Sequence, residues 1–185
     1  MVLRLSWATA LAWTGAASAG IPADILIQGG MVYTGADTAP SVADVVIAGD
    51  QIVYVGPNGR ARYDPREIVR ASGRIVAPGF IDAHTHPDSY VRSADARQRL
   101  NAPWLFQGVS TLLIGVDGFG TPDVADERRE FERQGIGTNL VPYVGFGKVR
   151  ERVMGQSSRT ASAGELSRMQ ALVVKGMCEG AIGLS

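Results

Sequence analysis

The stretch Arg74-Ile75-Val76-Ala77-Pro78-Gly79-Phe80-Ile81-Asp82-Ala83-His84-Thr85-His86 decides how this 185-residue chain is read. An apolar run leads into it, and both histidines of the chain fall at its end. On an extended backbone, residues two apart share a face, so His84 and His86 project together with Asp82 behind them, while Ile81, Ala83 and Thr85 face the other way. Two imidazoles side by side can clasp one divalent metal ion. Such an ion polarises a carbonyl and brings the pKa of bound water to about 7, which is hydrolytic chemistry. The competing reading is a pair of ordinary strand histidines.

Outward from this stretch, the grammar on its C-terminal side is strand, helix, strand, helix. Strands are expected at 75–83, 110–115 and 138–145. The intervening helices are a weak one over 93–107 that Pro103 must kink or end, and one with Thr121 as N-cap, Pro122 at its first position and Gly135 after its end. A third follows, where Ser162 and Glu165 form a capping box and Leu166, Met169, Leu172 and Val173 share a face. Alternation of this kind argues for a parallel sheet, open or closed into a (β/α)8 barrel, whose active sites lie at the C-terminal ends of the strands. That is where His84 and His86 fall. A closed barrel takes roughly 250 residues, so only its first half is expected here, with a further apolar segment, 181–184, beginning near Ser185.

On the N-terminal side, β-rich runs over 25–33, 43–55 and 68–77 are separated by glycines. The middle one reads as a hairpin turning at Gly49 and Asp50, and a small antiparallel sheet is expected. Residues 1–19 differ from the rest. Arg4 precedes an apolar stretch that ends in Ala17-Ser18-Ala19, the layout of a cleavable signal peptide, too short to span a membrane comfortably. The expected organisation is a signal peptide over 1–19, a small β-domain over 20–74 and an incomplete barrel over 75–185. The product is expected to be exported, periplasmic or secreted.

Composition narrows the function classes. Eighteen basic and eighteen acidic residues cancel, and the arginines at 128, 129 and 133 alternate with acids, a solvated helix face rather than a phosphate-binding stripe. Nucleic-acid partners are excluded on that basis. The 45% hydrophobic content and 23 glycines suit an α/β protein with tight strand-to-helix turns. The single cysteine, Cys178, is read as a small buried filler near a helix end.

The strand Pro78-Gly79-Phe80-Ile81-Asp82-x-His84-x-His86 after a small β-domain resembles the amidohydrolase superfamily. Within it the chain is similar to the D-aminoacylase, or N-acyl-D-amino-acid deacylase, group. The likeness is carried also by Gln107 to Thr111, by Val144-Gly145 with Arg150, Val153, Met154 and Gly155, and by Glu179 to Ser185. It implies a β-sandwich built from both chain ends beside a distorted barrel, zinc or another divalent metal, and hydrolysis of a small N-acyl-D-amino acid. It also implies further histidines and a catalytic aspartate, the proton-shuttling base, from strands beyond Ser185, so this segment is expected to be inactive alone. Where the group often has a cysteine ligand, this chain has Asp117, as fitting for a third metal ligand as for a turn residue before Gly118. Where the group often has histidine, it has Phe146. Asp82 is read as supporting the histidines or as hydrogen-bonding at the strand end, Asp88 as a helix-start or turn residue, and Lys148 and Lys175 as solvated groups in a loop and at a helix end. A cyclic amidase of the dihydroorotase or hydantoinase kind and a non-catalytic truncated product are the alternatives.

Overall fold

A computed structural model describes residues 20–185 in two compact units that divide between Pro78 and Gly79; the expected signal segment, 1–19, lies outside the described residues. In the first unit, β1 (Ile21–Val32), β2 (Ser41–Ala48), β3 (Gln51–Gly56), the short helix α1 (Gly59–Arg62), β4 (Tyr63–Arg70) and β5 (Ile75–Val76) follow in order. The sheet runs β3-β2-β1-β4, with β5 also paired to β1. The expected hairpin is β2 and β3, antiparallel, turning at Gly49 and Asp50. The sheet is nevertheless mixed rather than antiparallel, because β1 pairs in parallel with both β4 and β5.

Alternation explains the core of this unit: Leu26, Val46 and Ala23 are buried with Tyr54 and Tyr63 against them. β1 is interrupted by a bulge between Ile27 and Gly30, where Gly29 takes φ +69°. The buried carboxylate of Asp44 satisfies the freed backbone, accepting from Gly29 N (2.8 Å) and from Gly59 N at the start of α1 (2.7 Å). A buried charge is tolerated when hydrogen-bonded in this way.

The second unit begins with β6 (Phe80–Asp82), then α2 (Asp88–Val91), α3 (Ala96–Arg99), α4 (Ala102–Leu105), β7 (Val109–Ile114), α5 (Val124–Gln134), β8 (Asn139–Pro142), α6 (Phe146–Met154) and α7 (Ala163–Cys178). Its sheet, β6-β7-β8, is parallel throughout. This is part of a TIM-like barrel. The central strand is buried on both faces over Leu112, Leu113 and Ile114, as parallel strands covered by helices are. Val91, Leu112, Ile114 and Phe131 form one core; Val124, Val144, Val149, Met169 and Ala181 form another under α6 and α7. Beyond β8 the chain stays extended to Phe146, and residues 181–185 run beside it, with Ile182 N bonding Pro142 O and Val144 N bonding Gly183 O, both at 2.9 Å.

Several expectations are corrected. The strand expected over 75–83 is two: Ile75 and Val76 belong to the first sheet, and Pro78-Gly79 breaks the ladder before β6. The weak helix over 93–107 is likewise two short helices, with Asn101 between them in the left-handed region (φ 52°). Asp123, not Thr121, precedes α5, and the Thr121 hydroxyl instead accepts from Asp123 N at 3.1 Å. The capping box of Ser162 and Glu165 is present at the start of α7, but Leu166 is exposed while Met169, Leu172 and Val173 pack. Cys178 is exposed rather than buried, since it ends α7 on the side away from the core. Lys148 is helical rather than in a loop.

Candidate metal centre

β6 delivers the chain to the histidines and stops one residue short of Ala83. Asp82 Oδ1 accepts from His84 N at 3.2 Å, the strand-end hydrogen bond that was one of its two expected roles. Thr85 faces away and is tied down, its hydroxyl accepting from Trp104 Nε1 at 3.0 Å; Trp104 itself meets Tyr90 edge-on at 5.2 Å. His84 and His86 are left on one side of the chain, ring centroids 5.7 Å apart and planes at 74°.

The third residue arrives from the end of β7. The loop Gly115 to Gly120 contains three consecutive-turn residues at positive φ: Gly115, Asp117 (φ 56°) and Gly118. It is clamped by backbone hydrogen bonds: Gly120 N to Gly115 O (3.0 Å), Gly145 N to Gly120 O (2.8 Å) and Lys148 N to Gly118 O (3.1 Å). Only glycine fits the clamp. A Cβ at Gly120 would lie 2.0 Å from Tyr143 O, and one at Gly145 would lie 2.3 Å from Gly118 O. The backbone of Asp117 makes the turn, while its carboxylate, with no backbone N–H bonded to it among the described residues, faces the imidazoles.

Asp117 Oδ2 lies 3.2 Å from His86 Nε2 and 3.5 Å from His84 Nε2, and ligand atoms of all three residues fall within 4.8 Å of one another. Two ligands held about 2.1 Å from one ion at tetrahedral to octahedral angles are about 3.0–3.4 Å apart, so the carboxylate stands within a few tenths of an ångström of the separation that shared coordination with each imidazole requires. Two imidazole nitrogens and one carboxylate oxygen suit zinc, iron, cobalt or manganese. All three side chains are half-exposed, which leaves room for further ligands.

Beside the centre lies an open groove of about 580 Å³ lined by His86, Asp88, Arg92, Phe119, Thr121 and Lys148. Asp88 opens α2, as its reading as a helix-start residue anticipated. Arg92 is heavily committed: it pairs with Glu127 and, at 3.8 Å, with Asp88, and lies 5.5 Å from the Phe131 ring centroid. Burial pushes the Glu127 carboxyl up, against the opposing pull of Arg92. Lys148 pairs with Glu151 at 2.8 Å. Lys175 is not simply solvated; it bridges Asp123 (3.1 Å) and Glu179 (2.9 Å). Phe146, half-exposed, is the first residue of α6. Sequence reasoning missed Arg92, Phe119 and Thr121, which come from three different segments and carry no spacing signal.

A parallel βα sheet with two histidines past its first strand end and a carboxylate past its second is the arrangement of an amidohydrolase. The chain is homologous to the D-aminoacylase and N-acyl-D-amino-acid deacylase group of that class. It is 33% identical to the D-aminoacylase of Alcaligenes xylosoxydans xylosoxydans over 187 residues, covering 89% of this chain and 37% of the relative. A D-aminoacylase structure described as having a binuclear metal center superposes with a TM-score of 0.75 at 30% identity, over 88% of this chain and 38% of that one. The N-acyl-D-glutamate deacylase of Bordetella bronchiseptica, complexed with zinc and a phosphonate mimic of the tetrahedral intermediate, superposes with a TM-score of 0.77 at 25% identity, over the same shares. No family model matches the chain. The chain spans a little over a third of the length of these relatives. Among the described residues, no helix is long and apolar enough to cross a membrane.

Proposed function

We propose that His84, His86 and Asp117 hold a divalent cation, with zinc the first candidate, and that the protein carrying this segment hydrolyses the amide bond of N-acyl-D-amino acids. The observation that carries the reading is the convergence of the three donors at the C-terminal ends of two neighbouring strands. A cation bound there supplies Lewis acidity toward a carbonyl oxygen and activates water. The residues of this chain have their own tasks. Asp82 fixes the backbone of His84, the glycine clamp fixes Asp117, and the groove beside His86 offers Phe119 to apolar and Lys148 to anionic parts of a substrate. The base that moves the proton is supplied by later strands in this reading. Relatives named as deacylases of N-acyl-D-aspartate and N-acyl-D-glutamate support the substrate class.

The test is equilibrium dialysis of the metal-stripped 185-residue chain against zinc. One equivalent is expected to bind, and the His84→Ala, His86→Ala double variant is expected to bind none at the same site. Binding that survives the double variant would sink the assignment. We also propose that residues 1–19 direct export, supported by their composition alone. N-terminal sequencing of the protein recovered from outside the cytoplasm should then begin at Gly20, and recovery of an intact Met1 terminus would oppose the idea.

A further inference from the structure

The groove beside the metal centre contains two cations, and only one of them is free to be used. Arg92 is held by Glu127, whose side chain is 8% exposed, by Asp88 and by the face of Phe131. Drawing Arg92 away would leave a buried carboxylate unpaired, which is costly. Lys148, by contrast, has a single ion-pair partner among the described residues, Glu151 three positions along the same helix, and both side chains are nearly half-exposed. Such surface pairs contribute little and are readily exchanged. Lys148 also lines, with Phe119, both depressions flanking Asp117: the groove shared with His86, and a second of about 260 Å³ shared with Gly118, Gln156 and Ser157.

Its backbone is fixed to the metal loop. Lys148 N donates to Gly118 O at 3.1 Å, and a Cβ at Gly118 would stand 3.1 Å from Gly147 N, so the first turn of α6 is pressed against the turn that presents Asp117. The positive end of a nine-residue helix thus lies beside the centre and adds to the attraction for an anion. Asp88 places negative charge elsewhere in the groove, which favours an anion at Lys148.

We propose that Lys148 is a specificity-determining residue, whose ammonium receives the carboxylate of the substrate while the scissile amide lies toward His86 and Asp117. This rests on the functional reading above for the position of the amide, but not for the binding of the carboxylate. The geometry sets a clear requirement: a neutral analogue should bind less well, and the difference should vanish with the lysine.

The experiment titrates N-acetyl-D-leucine and its uncharged carboxamide into the full chain, metal-stripped and zinc-loaded, following backbone amide shifts around residues 146–150 by NMR. The acid is expected to bind about tenfold more tightly than the carboxamide, the difference one charge-assisted hydrogen bond makes. Lys148→Met should bring the two to parity, and Lys148→Arg should restore most of the preference. Zinc stoichiometry, measured on the same samples, should be one equivalent in all variants. A preference that persists in Lys148→Met, or no preference in the unaltered chain, overturns the proposal. Loss of zinc binding with the carboxylate preference intact would instead remove the metal reading and leave Lys148 standing.

Discussion

Asp117 combines two properties that seldom occur together, a left-handed backbone and a side chain facing two imidazoles. A non-glycine residue at positive φ carries a modest conformational cost, and here the turn is held by hydrogen bonds on both sides. Replacing Asp117 by Ala should weaken zinc binding by at least the about 10- to 100-fold that loss of a mere supporting residue produces; dialysis against a competing chelator reads the change. Gly120→Ala should be as damaging by another route, since its methyl would collide with Tyr143 O. The expected result is loss of both the metal and the native near-UV circular dichroism. At this scale the two histidines were legible because an alternating backbone makes a two-residue spacing a statement about direction. Asp117 was legible only as one of two readings, because spacing says nothing about where a turn aims a carboxylate. Arg92, Phe119 and Lys148 were not legible as groove residues, for only the folding of three βα connections brings them together.

At the level of elements, α7 gives the clearest test. Its Ser162 side chain accepts from Glu165 N while Glu165 returns a bond to Ser162 N at 2.9 Å. Ser162→Ala should cost about 1 kcal/mol in chemical denaturation. Arg159 beside Glu165, with the bonds from Ser162, holds the Glu165 carboxyl far below its ordinary value of 4.5. The unfolded chain therefore takes up that proton near 4.5 and the folded chain only at lower pH. The stabilisation is complete above the ordinary value and is lost as pH falls beneath it. Thermal midpoints of the unaltered chain and of Glu165→Gln should accordingly differ at pH 7 and converge as the solution is taken well below pH 4; a constant gap would contradict the linkage. This cap was readable from Ser-x-x-Glu alone, because its chemistry is local. The split of the strand expected over 75–83 was not. Both pieces are apolar, and which sheet each joins depends on partners far away in the chain.

For the molecule as a whole, the class of fold followed from the alternation of periods, two-residue then helical, along the second unit. The mixed character of the first sheet did not, since a parallel partner leaves no mark on the strand that receives it. Core burial makes a prediction at this scale. Leu112 is fully buried at the centre of the parallel sheet, and Leu112→Ala should destabilise the second unit by about 2–5 kcal/mol. The first unit has its own core, so its amides should keep their hydrogen-exchange protection in that variant. Simultaneous loss of protection in both units would show that they unfold as one.

The strand β1 has a further consequence, in time rather than in space. Its parallel partners begin at Tyr63 and Ile75, paired with Ile21 and Met31, so the centre of the first sheet cannot be completed while the chain is still emerging through its first hairpin. Closing such distant contacts is slow compared with forming local ones. During synthesis Ile21 to Val32 therefore waits with one edge unmatched until about fifty further residues have followed it. Over that interval β1 is held by β2 alone, so the tightest part of the first sheet is the last to close.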